Sequence, residues 1–492
     1  MQIDGLSAAA LTAARSQGAV PTLDHLIRSG HAVHEWSCGL PSDTLAVQTG
    51  LFWGAASPVP SFNWWDRRLQ RRRRAASAVG VAAFERTLEA NVKSGLLRGG
   101  ACHGAAIGGG AYGGTLLPPT GKRSWFSMLR ESLQATTSLA TEAVRSLQHQ
   151  SLATSSDSPT INVSACAPTT RLSRFSHAIA RGVTGASRAS ASVIAAGVRR
   201  DMTAGLPVVF ANFVEFDLLA HLTGPRSSAS MAALRAIDHT VGVLTTAAHA
   251  SAQPYRVVVL SDHGIATATP ASSAFAPDPR TWVANEWARR SRSRSTPHLV
   301  VLASGTVLQA WVRGAPNRLD CQTLTAYAPG FVDAIARHPA IALTMLMDRS
   351  IDGVPTSYVL LSHQGGVRVA HTHTTSDGTR ERPRFELREH WGVSPFEALR
   401  LRDGAQELLY AFAARHDVGD ITCVARALAS EVGCGLDGEF WSFEAQFGAH
   451  GGIGGSQARP FVLTLPDDSP SPDERASAAS MHLWLERLAP PR

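Results

Sequence analysis

Two apolar, strand-length runs that each lead into an acid and a histidine constrain this chain more than any other feature. The run Tyr255-Arg256-Val257-Val258-Val259-Leu260 passes directly into Ser261-Asp262-His263-Gly264. Upstream, Leu206 to Phe216 carries Val208-Val209-Phe210 and Phe213-Val214, a buried-strand pattern, and continues into Asp217-Leu218-Leu219-Ala220-His221. Between the two, Met231 to Ala248 places Leu234, Ile237, Val241 and Leu244 at helical spacing. Strand, helix, strand in that order predicts a mostly parallel sheet with helices on both faces. Ligands of open α/β sheets gather at the carboxyl edge of the strands, so both acid–histidine pairs belong on that rim.

Other elements extend the same pattern. Residues 5–16 read as a helix, Pro21-Thr22-Leu23 opens a second, and 298–303, 307–312 and 461–465 are strand candidates. The glycine-rich stretch 99–114 reads as an irregular loop, 115–205 as a helical insertion with helices near 128–148 and 175–200, and 290–395 as a cap or insert. Within that insert, 363–395 is expected to be polar, irregular and exposed. Residues 1–492 are read as a single catalytic domain carrying these insertions. Hydrophobic residues at 44% and charged residues at 17% exclude a disordered chain, a coiled coil and a fibrous repeat. No run of 18 apolar residues is present, so no transmembrane helix is expected. The six cysteines form no CxxC pair and are expected to be reduced and buried.

Several residues have the chemistry to form a site. Asp217 and His221 are four apart, so one helical turn brings both to one side, where they can share a metal ion. Asp262 and His263 leave a strand together, and Gly264 lets the backbone turn tightly there. His450 lies in Gly448-Ala449-His450-Gly451-Gly452, where glycines permit close approach of a ligand. Asp4 ends the first strand fragment, and Thr44 opens a helix in Pro41-Ser42-Asp43-Thr44. Thr44 reads either as that helix's N-cap or as a nucleophile at an anion-holding helix end. The run Arg67-Arg68-Leu69-Gln70-Arg71-Arg72-Arg73-Arg74 reads as a solvated loop or helix start, with a phosphate-contacting patch as the alternative. His371-Thr372-His373 reads as a surface feature. No GxSxG, HExxH or GxxxxGK[ST] pattern occurs.

Taken in order, Asp4, Thr44, Asp217-x-x-x-His221, Asp262-His263-Gly264 and His450-Gly451-Gly452 resemble the alkaline phosphatase superfamily. The likeness is to its type I phosphodiesterase and nucleotide pyrophosphatase branch. It implies an alkaline phosphatase-like three-layer α/β sandwich with a mostly parallel central sheet and helical or loop insertions. It also implies two divalent metal ions, zinc first and manganese second. Asp217, His221 and His450 would hold one ion, and Asp4, Asp262 and His263 the other. Thr44 matches the nucleophile in Pro41-x-x-Thr44-x-x-x-Gln48, and Asn63 in Pro60-Ser61-Phe62-Asn63-Trp64-Trp65-Asp66 matches a phosphate-binding asparagine. The implied activity is metal-dependent hydrolysis of small phosphate esters, at phosphodiester or pyrophosphate bonds, through a phosphothreonine. A phosphomonoesterase, a phosphotransferase or mutase, and a non-catalytic relative are the alternatives. Relatives carry a full apolar strand before the metal-binding aspartate. Only Met1-Gln2-Ile3 precede Asp4 here, so the first strand is expected to be cut short, with the start upstream. The sequence carries no specific nucleic-acid motif and no signal for localisation or oligomeric state.

Overall fold

The computed structural model describes residues 1–55, 60–74, 78–91, 95–114, 191–293, 295–351, 354–372, 384–399, 405–415, 417–428, 438–465, 467–468, 472 and 476–489. Six strands form the central sheet, in the spatial order Ala32–Glu35, Phe461–Thr464, Val259–Leu260, Gln2–Ile3, Val209–Phe213 and Ala101–His103. Gln2–Ile3 runs parallel to both of its neighbours, Ala101–His103 runs parallel to Val209–Phe213, and only Phe461–Thr464 opposes its neighbours. The first strand is therefore central, and its two ladder residues are both fully buried. The ladder continues past them, since Leu260 N–H donates to Met1 O and Asp4 N–H donates to Phe213 O, each at 3.0 Å.

Apolar clusters cover both faces of the sheet, which makes three layers. On one face Ile3, Leu11, Leu23, Phe213, Ile237 and Val241 pack together. On the other, Trp36, Leu51, Phe52, Val462, Met481 and Trp484 do so. Each such side chain contributes about 1.5–3 kcal/mol by leaving water. The long helix Ser228–His249 buries Leu234, Ile237, Val241 and Leu244, the stripe its spacing predicts. Its buried Asp238 accepts from Thr22 N–H and Leu23 N–H at 2.8 and 2.9 Å, satisfying the start of the helix Pro21–Arg28.

A second sheet of seven antiparallel strands lies beyond the first. Its order is Arg384–Gly392, Gly365–Thr372, Val354–Leu361, Ile341–Ile351, Ile421–Ala425, Val307–Val312 and Leu299–Ser304. Here the sequence reading of 363–395 as irregular is corrected. Gly365–Thr372 and Arg384–Gly392 pair as antiparallel strands, because ladder hydrogen bonds to a neighbour override the weak β-propensity of polar residues. The glycine-rich stretch likewise contains a buried strand, Ala101–His103, which pairs with Val209–Phe213. The basic run is not a helix start: residues 67–70 form a turn and 71–74 a strand. Arg71–Arg74 forms a hairpin with Asn63–Asp66, and Arg67 makes a buried ion pair with Asp420 at 2.8 Å.

The described cysteines are free thiols; Cys38, Cys102 and Cys423 are buried and Cys321 is half-buried. Cys166, Cys434, His373, the expected helix 128–148 and most of 175–200 lie outside the described residues; 191–203 is helical. Among the described residues no helix is long and apolar enough to cross a membrane.

Candidate active site

The site forms where three central strands end. Asp4 follows Gln2–Ile3, Asp262 and His263 follow Val259–Leu260, and the helix Glu215–Thr223 after Val209–Phe213 carries Asp217 and His221. His450 arrives from the other side. It follows Gly448–Ala449, which pairs antiparallel with Ala266–Pro270, the strand just after His263. The turn Gly305-Thr306 of the second sheet packs on it, with Thr306 N–H donating to His450 O at 3.1 Å.

The structure brings together seven of the eight residues singled out from sequence. One group that can hold a metal ion is Asp217, His221 and His450; another is Asp4, Asp217 and His263, with the ligand atoms of each lying within 4.8 Å of one another. Asp262 Oδ2 is 3.4 Å from His263 Nε2, so Asp262 borders the second group. Asp217 belongs to both groups, which reading residues one ion at a time does not reveal.

Each histidine is oriented by a backbone carbonyl. His221 Nδ1 bonds Gly448 O at 2.7 Å, His263 Nδ1 bonds Gly264 O at 3.0 Å and His450 Nδ1 bonds Ser42 O at 2.8 Å. A carbonyl only accepts, so each Nδ1 carries a hydrogen and each ring turns its Nε2 inward. The Nε2 atoms of His221 and His450 face each other at 3.1 Å. Asp217 Oδ1 and Asp262 Oδ2 are buried and accept no hydrogen bond. Carbonyl-anchored imidazoles, orphaned carboxylate oxygens and crowded ring nitrogens are what a bound cation satisfies, so these residues fit a metal.

The electrostatics agree. Burial, then Asp262 and Asp217, push Asp4 well above the usual carboxylate range. Burial and then Asp217 push Asp262 up to about 8. Burial also acts to raise Asp217, but the neighbouring His221 and His450 outweigh it and hold this carboxyl low. Burial and then His263 hold His450 well below the ordinary imidazole value. Three carboxyls this close cannot all ionise in an apolar setting without a cation among them.

Thr44 opens the helix Thr44–Trp53, but it is not the cap. The preceding Asp43 is, accepting Ala46 N–H at 3.0 Å, and this leaves the Thr44 hydroxyl for other work. Thr44 Oγ1 lies 3.1 Å from His263 Nε2 and 3.4 Å from Asp4 Oδ1, and the residue is half-buried. A hydroxyl at a helix N-terminus, beside two ligand groups, stands where an anion is favoured.

The eighth residue, Asn63, does not join the cluster. Its Nδ2 donates to Ala303 O at 3.1 Å and its Oδ1 accepts from Arg72 Nη2 at 3.0 Å. Sequence reasoning missed Asn212, whose buried amide donates to Asp4 Oδ2 at 2.8 Å and to Gly104 O at 3.3 Å. A lone polar residue inside a buried strand was the available signal. It also missed Ser42, whose Oγ donates to Gly452 O at 2.8 Å and accepts Gly451 N–H at 3.0 Å, fixing the backbone around His450.

Gly5 has a φ of +73°, and a Cβ there would sit 2.6 Å from Asp217 Oδ1. The substitution Gly5→Ala is thus expected to displace Asp217 and weaken zinc binding roughly tenfold or more. Zinc titration of the two proteins checks this, and equal affinities would show that Asp217 does not depend on the close approach.

The sequence pattern of the family described as Type I phosphodiesterase / nucleotide pyrophosphatase matches residues 1–341. No curated protein matches the chain. Among solved structures, alkaline phosphatase PafA is similar at 12% identity and a TM-score of 0.53, covering 99% of this chain and 94% of that one. At that identity the likeness shows the fold. Phosphonoacetate hydrolase from Sinorhizobium meliloti 1021 gives 12% identity and a TM-score of 0.48, over 99% of this chain and 94% of its own. Murine ectonucleotide pyrophosphatase/phosphodiesterase 5 gives 12% and 0.47, over 99% and 93%. The chain belongs to the type I phosphodiesterase/nucleotide pyrophosphatase family, a family of phosphoric ester hydrolases.

Proposed function

We propose that the protein cleaves phosphodiester or pyrophosphate bonds of small phosphorylated substrates through a phosphothreonine on Thr44. In this reading Asp217, His221 and His450 hold one divalent ion, and Asp4, Asp262 and His263 hold a second. Asp217 lies between the two and can lend an oxygen to either. Mixed imidazole and carboxylate ligands favour zinc, with manganese second. Two such ions would clamp the attacking and leaving oxygens of an in-line displacement and acidify the nucleophile.

The observation that carries the proposal is the position of Thr44 Oγ1, 3.1 Å from His263 Nε2 and 3.4 Å from Asp4 Oδ1. That contact holds an otherwise weak nucleophile in one orientation at the edge of the cluster. Oγ1 gives up its proton and forms the new bond to phosphorus as the bond to the departing oxygen breaks, and the proton ends on the departing group or in solvent. The helix Thr44–Trp53 begins at this residue, so its positive end favours the phosphoryl charge. Water then cleaves the phosphothreonine and regenerates the hydroxyl.

The test compares bis-p-nitrophenyl phosphate with p-nitrophenyl phosphate, using protein stripped by chelator and then restored with zinc or manganese. The expected result is metal-restored cleavage with the diester as the better substrate. A preference for the monoester would reassign the protein to the phosphatase side of the superfamily. Activity that survives complete metal removal would overturn the metal assignment.

A further inference from the structure

Within the arginine run, Arg72 is exposed and is held by the buried Asn63 rather than by a carboxylate. Arg67 is used in its buried ion pair with Asp420, and Arg73 pairs with Asp66 at 3.1 Å. Arg72 instead bonds a neutral group, the side-chain oxygen of Asn63, and among the described residues it forms no ion pair with a carboxylate. The charges acting on it are Arg74, Glu444 and Arg280, the last of which is itself paired with Asp278 at 3.2 Å. Loss of hydration and then Arg74 hold its guanidinium below the ordinary value. Glu444 is already engaged, accepting Gly305 N–H at 2.7 Å.

This patch adjoins the metal-ligand cluster through one short turn. Asn63 N–H donates to Ser304 Oγ at 3.1 Å, and its side chain donates to Ala303 O at 3.1 Å. The next residue, Gly305, approaches His450 so closely that a Cβ on it would meet His450 O at 2.1 Å. The segment that anchors Arg72 is therefore the segment that packs on a candidate metal ligand.

We infer that Arg72, with Arg74 two residues along the same strand, forms an anion subsite beside the cluster that takes a second negatively charged group of the substrate, the further phosphate of a pyrophosphate. The inference rests on the hydrolase reading above and narrows its substrate class. A guanidinium presents a planar fork that matches phosphate oxygens, and Asn63 holds one arm of it in place. An anion arriving there would also relieve the repulsion between Arg72 and Arg74.

Binding is read from the tryptophan emission of the zinc-loaded protein, since Trp64 and Trp65 lie in the same hairpin, during titration with pyrophosphate and with inorganic phosphate. The substitution Arg72→Ala is expected to raise the Kd for pyrophosphate about tenfold to a hundredfold and to raise that for phosphate by less. Arg72→Lys should recover part of the loss, and Arg280→Ala, on a separate helix, should shift the same ratio by a smaller factor. An unchanged ratio of the two affinities in both alanine variants overturns the subsite. Turnover of bis-p-nitrophenyl phosphate by wild type, run in parallel, separates the two claims. Pyrophosphate binding that depends on Arg72 without any turnover would retain the subsite and sink the hydrolase reading. Turnover with an unchanged affinity ratio would do the reverse.

Discussion

Replacing Thr44 with alanine is expected to lower kcat for diester cleavage by about a thousandfold or more while leaving zinc content at the wild-type level. The size follows from the role. Removing a nucleophile forfeits the covalent route and leaves only what positioning and charge stabilisation supply. The metal-ligand groups do not include Thr44, so the ions should remain. Thr44→Ser keeps a hydroxyl at the first helical position, beside His263 and Asp4, and should retain measurable activity. Rapid acid quench of wild type with a radiolabelled substrate should trap label on protein, and the alanine variant should trap none. An alanine variant that keeps more than about a tenth of wild-type kcat would mean that water attacks directly and that Thr44 only orients substrate.

The second large effect is expected at Asp217. Because it is shared by both ligand groups, Asp217→Asn should weaken both ions together. The loss should exceed the roughly 10- to 100-fold that removal of an outer-sphere partner costs. The metal-free fold should respond far less, because two contributions oppose each other: Asp217 helps push Asp4 and Asp262 above the carboxylate range, while His221 and His450 hold Asp217 itself low. Zinc should raise the Tm of wild type by mass action and leave that of the variant nearly unchanged. Calorimetry with and without zinc checks both halves. A variant that still binds two ions with wild-type affinity would refute the shared-ligand geometry, and one that loses a single ion would assign Asp217 to one group only.

Much of this site could be read from the sequence because strand-end chemistry is local. Asp262-His263 follows its strand without a gap, and Asp217-x-x-x-His221 needs only one helical turn to align. The helix Ser228–His249 was readable for the same reason, its buried stripe repeating every three or four residues. Where the pattern is short or glycine-rich, local signals fail. Ala101–His103 is a strand because Val209–Phe213 lies beside it, and its own residues carry little preference. The hairpin Asn63–Asp66 with Arg71–Arg74 was likewise hidden, since four consecutive arginines look like a solvated run until their partners are known.

The sequence by itself determined the sheet-and-helix order, the rim on which the acids and histidines stand, and the type of chemistry those side chains permit. These follow from periodicity and from what each residue emits at the end of its strand. Only the tertiary structure decided that Asp43 caps the helix and frees Thr44, that Asp217 is shared by the two ligand groups, and that Asn63 turns toward Arg72. Each of those facts depends on contacts between residues far apart in the chain or on a choice among competing hydrogen-bond partners. Packing makes that choice, because a buried donor or acceptor must take whichever partner the fold brings within reach.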